Sequence, residues 1–564
     1  MAMSNAERLR ISTFWLSCMS LLLALAYVLP NHYLPWPSFH AEAWSAVAIA
    51  VPGIWIAWRA RHRTGVYAST LMVALAATGC FLQYVFGLIH FLGTFWISAS
   101  YLVGFLLTLQ LGELWEREAR SQCLDYLAIS LVLASLLSLP IELIQWLNIP
   151  WSSAMLISAP DIHRPTANMA QPNLLADLYL LGVIGLSWLH SHKRLPGLIA
   201  LVLIALFLGG AALTGSRTAW LNVIVLVIFS TIGQPRLEGS ARRRAALALA
   251  AYFFVCVAVA PLLQAVLLDT ASSEYSTASA HSRLAVWKMM FAASQLSPWW
   301  GYGWGQVIKA NFTTANATGV GELFSQSHNF FLDLVLWNGY PLGLLLALGI
   351  GWWIWRLLRI DRNLPQWHTL VFLAVLCVHA IVEYPFCYAY FLFPMGLLLG
   401  SVQPIIAGTP FMLLSRNATR ALLALGIVML SVSIRDYFLI ERSFYALRFE
   451  SRGILTDIPR SPPDAWVLTQ MVAHLRFSRD EPAPLASPEE FEQMEDVVRV
   501  TPSPHTMLKL ALNYALAGNT GKATFWLKQI CDKTVDTQCA EAKQKWELGV
   551  RQNKYPHLMP WPIP

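Results

Sequence analysis

One histidine and several arginines are the residues whose type and spacing suit chemistry at a membrane surface. His328 ends a long polar, aromatic loop and begins the apolar run that continues through Asn338 and Gly339. A titratable ring at the mouth of a membrane span is costly to leave without a use, and imidazole exchanges protons near neutral pH. Such a ring can also serve only to anchor a helix end at the interface. The residues around it favour a function.

Further polar side chains are predicted to lie at the same membrane edge. Arg217 lies in a short turn between two predicted spans, and Arg283 lies near Trp287 in a predicted amphipathic helix, 281–295. A single arginine there can simply reach lipid phosphate. Several arginines around one histidine indicate a phosphate ligand, because guanidinium groups bind phosphate oxygens in pairs. The other candidates are Arg164, Gln171, Asn329, Glu383, Tyr384 and Tyr388.

Composition places these residues in a membrane protein. Of the 564 residues, 56% are apolar and 13% are charged, whereas about a quarter are charged in globular domains. Apolar runs of roughly twenty residues recur, and each is long enough to cross the hydrocarbon core. We predict an all-α, polytopic membrane protein of about 12 to 13 transmembrane helices. The predicted spans are 12–29, 43–58, 67–89, 92–112, 124–147, 174–190, 196–214, 218–232, 246–267, 328–355, 368–383, 389–406 and 419–440.

Basic clusters between the spans predict the orientation of the chain. Short cytoplasmic loops are enriched in Lys and Arg, so the net charge of +7 does not indicate a nucleic-acid partner. With thirteen crossings, the N-terminus is expected inside and the C-terminus outside. The first apolar run is expected to be a retained span, because no small-residue cleavage site follows it. The clusters are 59–63, 192–194, 242–244, 356–362, Arg416 and Arg420.

The chain is predicted to have two parts. Residues 1–440, which include an outside loop at 268–327, form the transmembrane domain, and residues 441–564 form a small helical C-terminal domain outside. Within the second part, a helix near 507–516 and another near 522–530 resemble a tetratricopeptide hairpin, although no repeat at that period is visible. A plain helical hairpin is the alternative. Cys531 and Cys539 fall in this outside part, where a disulfide is permitted, and the sequence leaves that bond open.

Several other kinds of site are excluded by spacing and context. The glycines at 301, 303 and 305 lack the strand, loop and helix context of a dinucleotide fingerprint and are predicted to lie outside the cell. No His, Cys, Asp or Glu grouping has metal-ligand spacing. No Gly-x-Ser-x-Gly elbow indicates an esterase.

Four motifs resemble one known family. They are Gln171-Pro172-Asn173, the turn from Thr214 to Trp220 that contains Arg217, Ser282-Arg283 with Trp287, and His328-Asn329 followed after nine residues by Gly339. Together they resemble the Wzy/WaaL superfamily of O-antigen ligases and polymerases, over essentially the whole chain. Residues 379–386 and the outside C-terminal domain are most similar to the PglL-type bacterial protein O-oligosaccharyltransferases. The glycine cluster after His328 is one residue longer than the ligase form.

The resemblance implies a GT-C-like fold in the bacterial inner membrane, with the active site and the C-terminal domain facing the periplasm. It implies transfer of a preassembled glycan from undecaprenyl diphosphate to a hydroxyl of a periplasmic acceptor protein, without a metal or nucleotide sugar. His328 matches the essential histidine, and Arg217 and Arg283 match the arginines that hold the diphosphate. Gln171 and Tyr384 match polar residues near the reaction centre, with Asn329 and Arg164 as supporting residues.

The residue types suit that reaction independently. A sugar C1 bonded to diphosphate has a good leaving group, and preorganised arginines stabilise the charge that develops as it departs. The acceptor hydroxyl loses a proton, which a neutral imidazole with a pKa of about 6.5 can accept, for about 10²–10⁴-fold in rate. Direct displacement inverts the anomeric carbon. The prediction requires the arginines and the imidazole to meet in one outside cleft.

Two other functions compete with this one. The same superfamily includes ligation of glycan to lipid A-core and polymerisation of glycan repeats, which only acceptor-facing surfaces distinguish. A transporter or lipid flippase without chemistry belongs to a different class. Against it, the sequence shows no matched halves and no paired broken helices at the midplane.

Overall fold

The computed structural model of the protein describes residues 10–30, 32–151, 156–157, 164–232, 239–268, 278–314, 322–360, 363–454, 456–483, 487–552, 554–555 and 558–563. Within those ranges the chain is built almost entirely of α-helices, with one antiparallel pair of short strands, β1 (Thr64–Val66) and β2 (Met412–Leu414). A 3-10 turn at Pro385–Cys387 precedes α14. The helices are α1 (Thr13–Ala26), α2 (Phe39–Arg59), α3 (Ala68–Val85), α4 (Leu92–Glu118), α5 (Gln122–Trp146), α6 (Pro172–Ser191), α7 (Gly197–Leu213), α8 (Arg217–Ile232), α9 (Gly239–Leu268), α10 (Ala278–Gln295), α11 (Val307–Ala310), α12 (Phe330–Leu358), α13 (Leu364–Val382), α14 (Ala389–Ala407), α15 (Arg416–Glu450), α16 (Thr469–Arg479), α17 (Pro488–Val500), α18 (Pro504–Leu516), α19 (Thr520–Lys533) and α20 (Asp536–Arg551).

The helices confirm the predicted class of fold. Among the described residues, ten helices are long and apolar enough to cross a membrane, and α1, α7 and α8 are shorter apolar helices. Each of the thirteen predicted spans overlaps one of these thirteen helices. The protein is therefore an all-α, multi-pass membrane protein. The hydrophobic runs suffice to predict this because a backbone in lipid satisfies its hydrogen bonds within each helix.

The chain divides into two compact units, and unit 1 consists of Met1–Ala76, Tyr101–Ser276 and Leu348–Leu430. In unit 1, α5 packs against α1 and α6, and α6 packs against α7, α8 and α13. Large side chains such as Trp115, Tyr126 and Trp188 are completely buried between these helices. The helix that carries most of this packing, α6, is buried on nearly all sides. Its few polar residues therefore need partners inside the bundle.

Unit 2 consists of Ala77–Ser100, Thr277–Ala347 and Ser431–Pro564. Its C-terminal helices share a core that includes Trp526 and Trp546. The predicted hairpin is present as α18 and α19, because Ser503 caps α18, Asn519 caps α19, and Gly518 turns the chain at φ 76°. The predicted helix at 281–295 is present as α10, and Cys531 and Cys539 form a disulfide.

The predicted domain boundary at residue 440 falls inside one helix, because α15 continues to Glu450. The compact units follow contacts and not chain order, since unit 2 also includes 77–100 and 277–347. The assignment of 1–440 to the membrane and of 441–564 to the outside concerns sides of the membrane, and it stays a prediction.

Candidate functional site

His328 lies in unit 2 on a loop with an unusual backbone. Its φ is +57°, in the left-handed region that side chains other than glycine rarely adopt. The neighbours hold this conformation: the Ser327 amide donates to the Asp333 carboxylate at 2.8 Å, and the Ser327 hydroxyl donates to the Asn329 carbonyl at 2.9 Å. Asn329 accepts the Leu332 amide at 3.0 Å and so caps the start of α12. Strain of this kind clusters at functional sites.

Arg283 lies on the helix that holds the backbone of His328. The indole of Trp287, on α10, donates a hydrogen bond to the His328 carbonyl at 3.3 Å. Arg283 is four residues before Trp287, so both side chains leave the same face of α10. Arg283 and His328 are each half-buried. Unit 2 thus contains His328, Asn329 and Arg283 in one neighbourhood.

The helix that follows His328 is broken at Gly339, and a glycine-rich loop docks at the break. Gly339 has φ 70° and ψ 177°, so carbonyls near it lack their partners within the helix. The Leu336 carbonyl accepts the Tyr302 amide at 2.7 Å, and the Trp337 carbonyl accepts the Gly303 amide at 3.1 Å. The Gln83 amide also donates to the Trp337 carbonyl, at 2.8 Å. Side chain and loop together replace the missing helical hydrogen bonds.

Only glycine allows this close approach. A Cβ at Gly339 would lie 1.8 Å from the Trp299 carbonyl oxygen, and one at Gly301 would lie 2.5 Å from the Gly339 nitrogen. Trp304, in the same loop, stacks on Trp337 with ring centroids 4.7 Å apart. The glycine loop therefore fixes the position of α12, the helix that follows His328. This role was not predicted from the sequence, although Gly339 in an apolar run was a usable signal.

The second group of candidates lies in unit 1, where Gln171 and Tyr384 form a pair. The Gln171 amide donates to the Tyr384 hydroxyl oxygen. Burial and the charge of Glu383 raise the pKa of Tyr384 to about 12, against the hydrogen bond from Gln171. Tyr384 therefore keeps its proton and can act as a hydrogen-bond donor, not as a base. Tyr388 lies beside it, with ring centroids 6.0 Å apart.

Two further pairs continue from Gln171–Tyr384 along α6 and α13. The Asn173 amide donates to the Glu383 carboxylate at 2.8 Å, and the Asp177 carboxylate pairs with Nδ1 of His379. Residues 173 and 177, like 379 and 383, are four apart and so share one helix face. We call the three pairs, Gln171–Tyr384, Asn173–Glu383 and Asp177–His379, the polar ladder. Asp177 and His379 are fully buried.

The polar ladder is tied to the turn that presents Arg217. The Ser216 hydroxyl donates to the Asn173 side chain at 2.7 Å, and the Asn222 amide donates to Asp177 at 2.8 Å. Arg217 lies between these two residues, as the first residue of α8, and is half-buried. Arg164 donates to the carbonyl of Thr214 at 2.8 Å, in the same turn.

The structure thus places the predicted residues in two groups. Arg164, Gln171, Arg217 and Tyr384 are joined through unit 1, and Arg283, His328 and Asn329 are joined through unit 2. Asn173 and His379 lie in motifs quoted from the sequence but were given no role there, and Asp177 and Asn222 were not singled out. All four are polar residues in or beside apolar runs, which is a usable signal. Among the residues that the structure describes, no three His, Cys, Asp or Glu side chains are grouped to hold a metal ion.

Known proteins match the chain along most of its length. The general O-oligosaccharyltransferase of Acinetobacter baylyi is 29% identical over 509 residues, which are 87% of each chain. The ComP-specific O-oligosaccharyltransferase of the same organism is 30% identical over 328 residues, 57% of this chain and 59% of that protein. Residues 199–348 match the family described as O-antigen ligase, and 367–532 match the family described as virulence factor membrane-bound polymerase, C-terminal.

The two matched stretches and the two Acinetobacter relatives support the Wzy/WaaL superfamily for this chain. The stretch that matches the O-antigen ligase family contains Arg217, Arg283 and His328, and the stretch that matches the polymerase family contains His379 and Tyr384. Both candidate groups therefore have members in the matched stretches, although Arg164 and Gln171 precede them. The resemblance predicted from four short motifs is confirmed.

Proposed function

We propose that the protein transfers a preassembled glycan from undecaprenyl diphosphate to serine or threonine hydroxyls of periplasmic proteins. The observation that carries the proposal is the strained His328, whose backbone is held by the helix that also presents Arg283. The names of the two Acinetobacter relatives support an oligosaccharyltransferase of the PglL type, and hence a glycan donor and a protein acceptor.

In the proposed step, the acceptor oxygen attacks the sugar C1 as the bond from C1 to the diphosphate oxygen breaks, with inversion. His328 takes the hydroxyl proton as general base. Arg217 and Arg283 stabilise the charge on the departing undecaprenyl diphosphate. Tyr384 stays protonated and is oriented by Gln171, and it donates a hydrogen bond to the lipid-linked glycan. The proposed step uses no metal and no nucleotide sugar.

The proposed location is the bacterial inner membrane, with the reacting residues and 441–564 on the periplasmic side. The basic clusters between the spans support this orientation, because they follow the positive-inside rule. It also puts the active residues where lipid-linked donors and exported acceptors meet.

The test is reconstitution of the purified protein in vesicles with a synthetic undecaprenyl-diphosphate glycan and an exported acceptor protein. His328→Ala should abolish transfer without changing the amount of folded protein. His190→Ala, at an exposed histidine on α6, is the matched control and should transfer normally. Transfer by His328→Ala at the wild-type rate would refute the proposed base.

Ligation to lipid A-core, or polymerisation of glycan repeats, is the second candidate, because the two matched families are described as an O-antigen ligase and a membrane-bound polymerase. Mass spectrometry in a strain that lacks this chain separates the candidates. Loss of glycan from exported proteins supports the protein acceptor. Unchanged protein glycosylation with truncated lipopolysaccharide supports ligation.

A further inference from the structure

Within unit 2, the C-terminal helices contact the segment before His328 through Phe312 and Thr314, and α17 also packs against α11. The Phe312 ring packs against Trp526 of α19, with ring centroids 5.6 Å apart. The ammonium group of Lys533, at the end of α19, donates to the Thr314 carbonyl at 2.9 Å. Trp526 is 0% exposed and Lys533 is 3% exposed. Burying an ammonium group against a backbone carbonyl is energetically costly, because the charge loses its hydration.

Asn311 extends this attachment toward the histidine. Its side chain is fully buried, donates to the Phe324 carbonyl at 2.8 Å and accepts the Phe324 amide at 3.1 Å. One amide thus satisfies both backbone groups of Phe324 and fixes its position and direction. The Phe324 ring in turn meets the His328 ring edge-on, with centroids 6.2 Å apart. A continuous path of described residues therefore joins α19 to His328.

We propose that Asn311, Phe312 and Lys533 form a latch through which the C-terminal helices position His328. These three are positioning residues, since they act on His328 through Phe324. The inference rests on the proposed function of His328, and it gives 441–564 a role in the chemical step beyond any recruitment of acceptors.

The backbone of His328 explains why a latch is needed. A left-handed φ on a histidine persists only where the surroundings over-determine it. Trp287, Ser327 and Asp333 hold the loop from the α10 and α12 side. The latch holds the loop from its other side, at Phe324. Without the latch, opening of this surface loop would cost little free energy. Loosening the latch should misplace the His328 imidazole, whereas the positions of Arg217 and Arg283 should not change.

The experiment combines hydrogen exchange with steady-state transfer on the full-length protein. In Lys533→Met, amide exchange across 322–330 should rise about tenfold while α18 and α19 stay protected, because one charge-assisted hydrogen bond is lost. The kcat should fall about tenfold, and the KM for donor and acceptor should change less than twofold. Lys533→Arg should restore both readouts. Lys528→Met, at an exposed lysine on the same helix, is the matched control.

A second variant covers the case in which Lys533→Met also deprotects α19. Phe312→Leu trims the ring contact with Trp526, and Phe449→Leu, at an exposed phenylalanine of α15, is its control. Raised exchange at 322–330 in Phe312→Leu, with α19 protected, supports the latch. If amide exchange at 322–330 matches that of the wild type in both variants, the latch is refuted, whether or not the rate of glycan transfer changes. Amide exchange can be measured without activity. If the wild-type protein transfers no glycan, the proposed function is refuted, but the latch can still be tested by exchange.

Discussion

The Arg217 region of unit 1 and the His328 region of unit 2 position their polar side chains by different physical means. In unit 1, side chains pair with side chains across packed helices, as in the polar ladder and its ties to Ser216 and Asn222. In unit 2, a broken helix exposes carbonyls, and a glycine loop and Gln83 pair with them. The unit 1 region therefore depends on specific polar side chains. The unit 2 region depends on glycines, which leave room for backbone atoms.

This difference predicts how each region fails. A membrane-buried ladder tolerates a neutral isostere but not the loss of one partner, because the remaining polar group stays buried. A glycine docking site tolerates no Cβ at all, even a methyl group, because backbone atoms occupy the space. The following variants test that contrast.

Gly339→Ala should have the largest effect on stability. Its Cβ would overlap the Trp299 carbonyl, at 1.8 Å, on a backbone with φ 70°. We expect a loss of more than about 4 kcal/mol of unfolding free energy, seen as loss of monodisperse protein in size-exclusion chromatography. Gly351→Ala, on the same helix with nothing within 4 Å of its Cβ, is the control. Equal behaviour of the two variants would contradict the docking role of Gly339.

Asp177→Ala should come next, at about 3–5 kcal/mol, because it leaves His379 buried without its partner. Asp177→Asn should cost less, since Asn keeps a hydrogen-bonding group for His379 and Asn222. Thermal unfolding in detergent measures both. Asp177→Leu combined with His379→Leu should recover most of the stability yet transfer poorly, if the polar ladder positions Arg217. Full transfer by that double variant would limit the ladder to a structural role.

Arg217→Ala and Arg283→Ala should each lower kcat/KM by about 10²–10³-fold, as expected for groups that stabilise a departing diphosphate. If both arginines bind the departing diphosphate as proposed, their effects are coupled, and the double variant should lose less than the product of the single losses. Lys288→Ala, at an exposed lysine beside the Arg283 turn, should be normal. Simple multiplication of the two losses would mean that the arginines act in separate steps.

A histidine of unit 2 should give the smallest effect, a loss of stability in acid. Burial, helped by the charge of His505, lowers the pKa of His474 to about 4. The unfolded chain therefore binds more protons than the folded one between about pH 6.5 and 4, and stability falls as the pH falls through that range. We expect about 3 kcal/mol from this group by the time the pH has fallen to about 4, and almost none of it at neutral pH. His474→Gln should flatten the dependence of Tm on pH in that interval, and an unchanged slope would rule His474 out.

Much of the fold follows from local signals in the sequence. The thirteen spans, α10 and the hairpin of α18 and α19 coincide with helices because each is specified by its own periodicity, length or caps. The pairing of β1 with β2 could not be predicted, because its partners are some 350 residues apart and each strand has three residues.

The candidate site could be proposed from residue types, and its arrangement could not. His328, Arg217 and Arg283 stand out because charge at a span boundary is unusual. That Gln171 contacts Tyr384, or that Asn173 contacts Glu383, depends on how α6 and α13 pack, which no local pattern encodes. The role of Gly301 is visible only beside Gly339, since each glycine makes room for the backbone of the other.

The bond between Cys531 and Cys539 makes the orientation of the chain chemically measurable in living cells. Such a bond persists in an oxidising compartment and is reduced in the cytosol. Blocking of thiols in intact cells, followed by peptide mapping of 520–551, would therefore report on which face of the bilayer the C-terminus was delivered. If the chain were inserted in the opposite orientation, Cys531 and Cys539 would both be alkylated. This test of orientation requires no knowledge of the glycan.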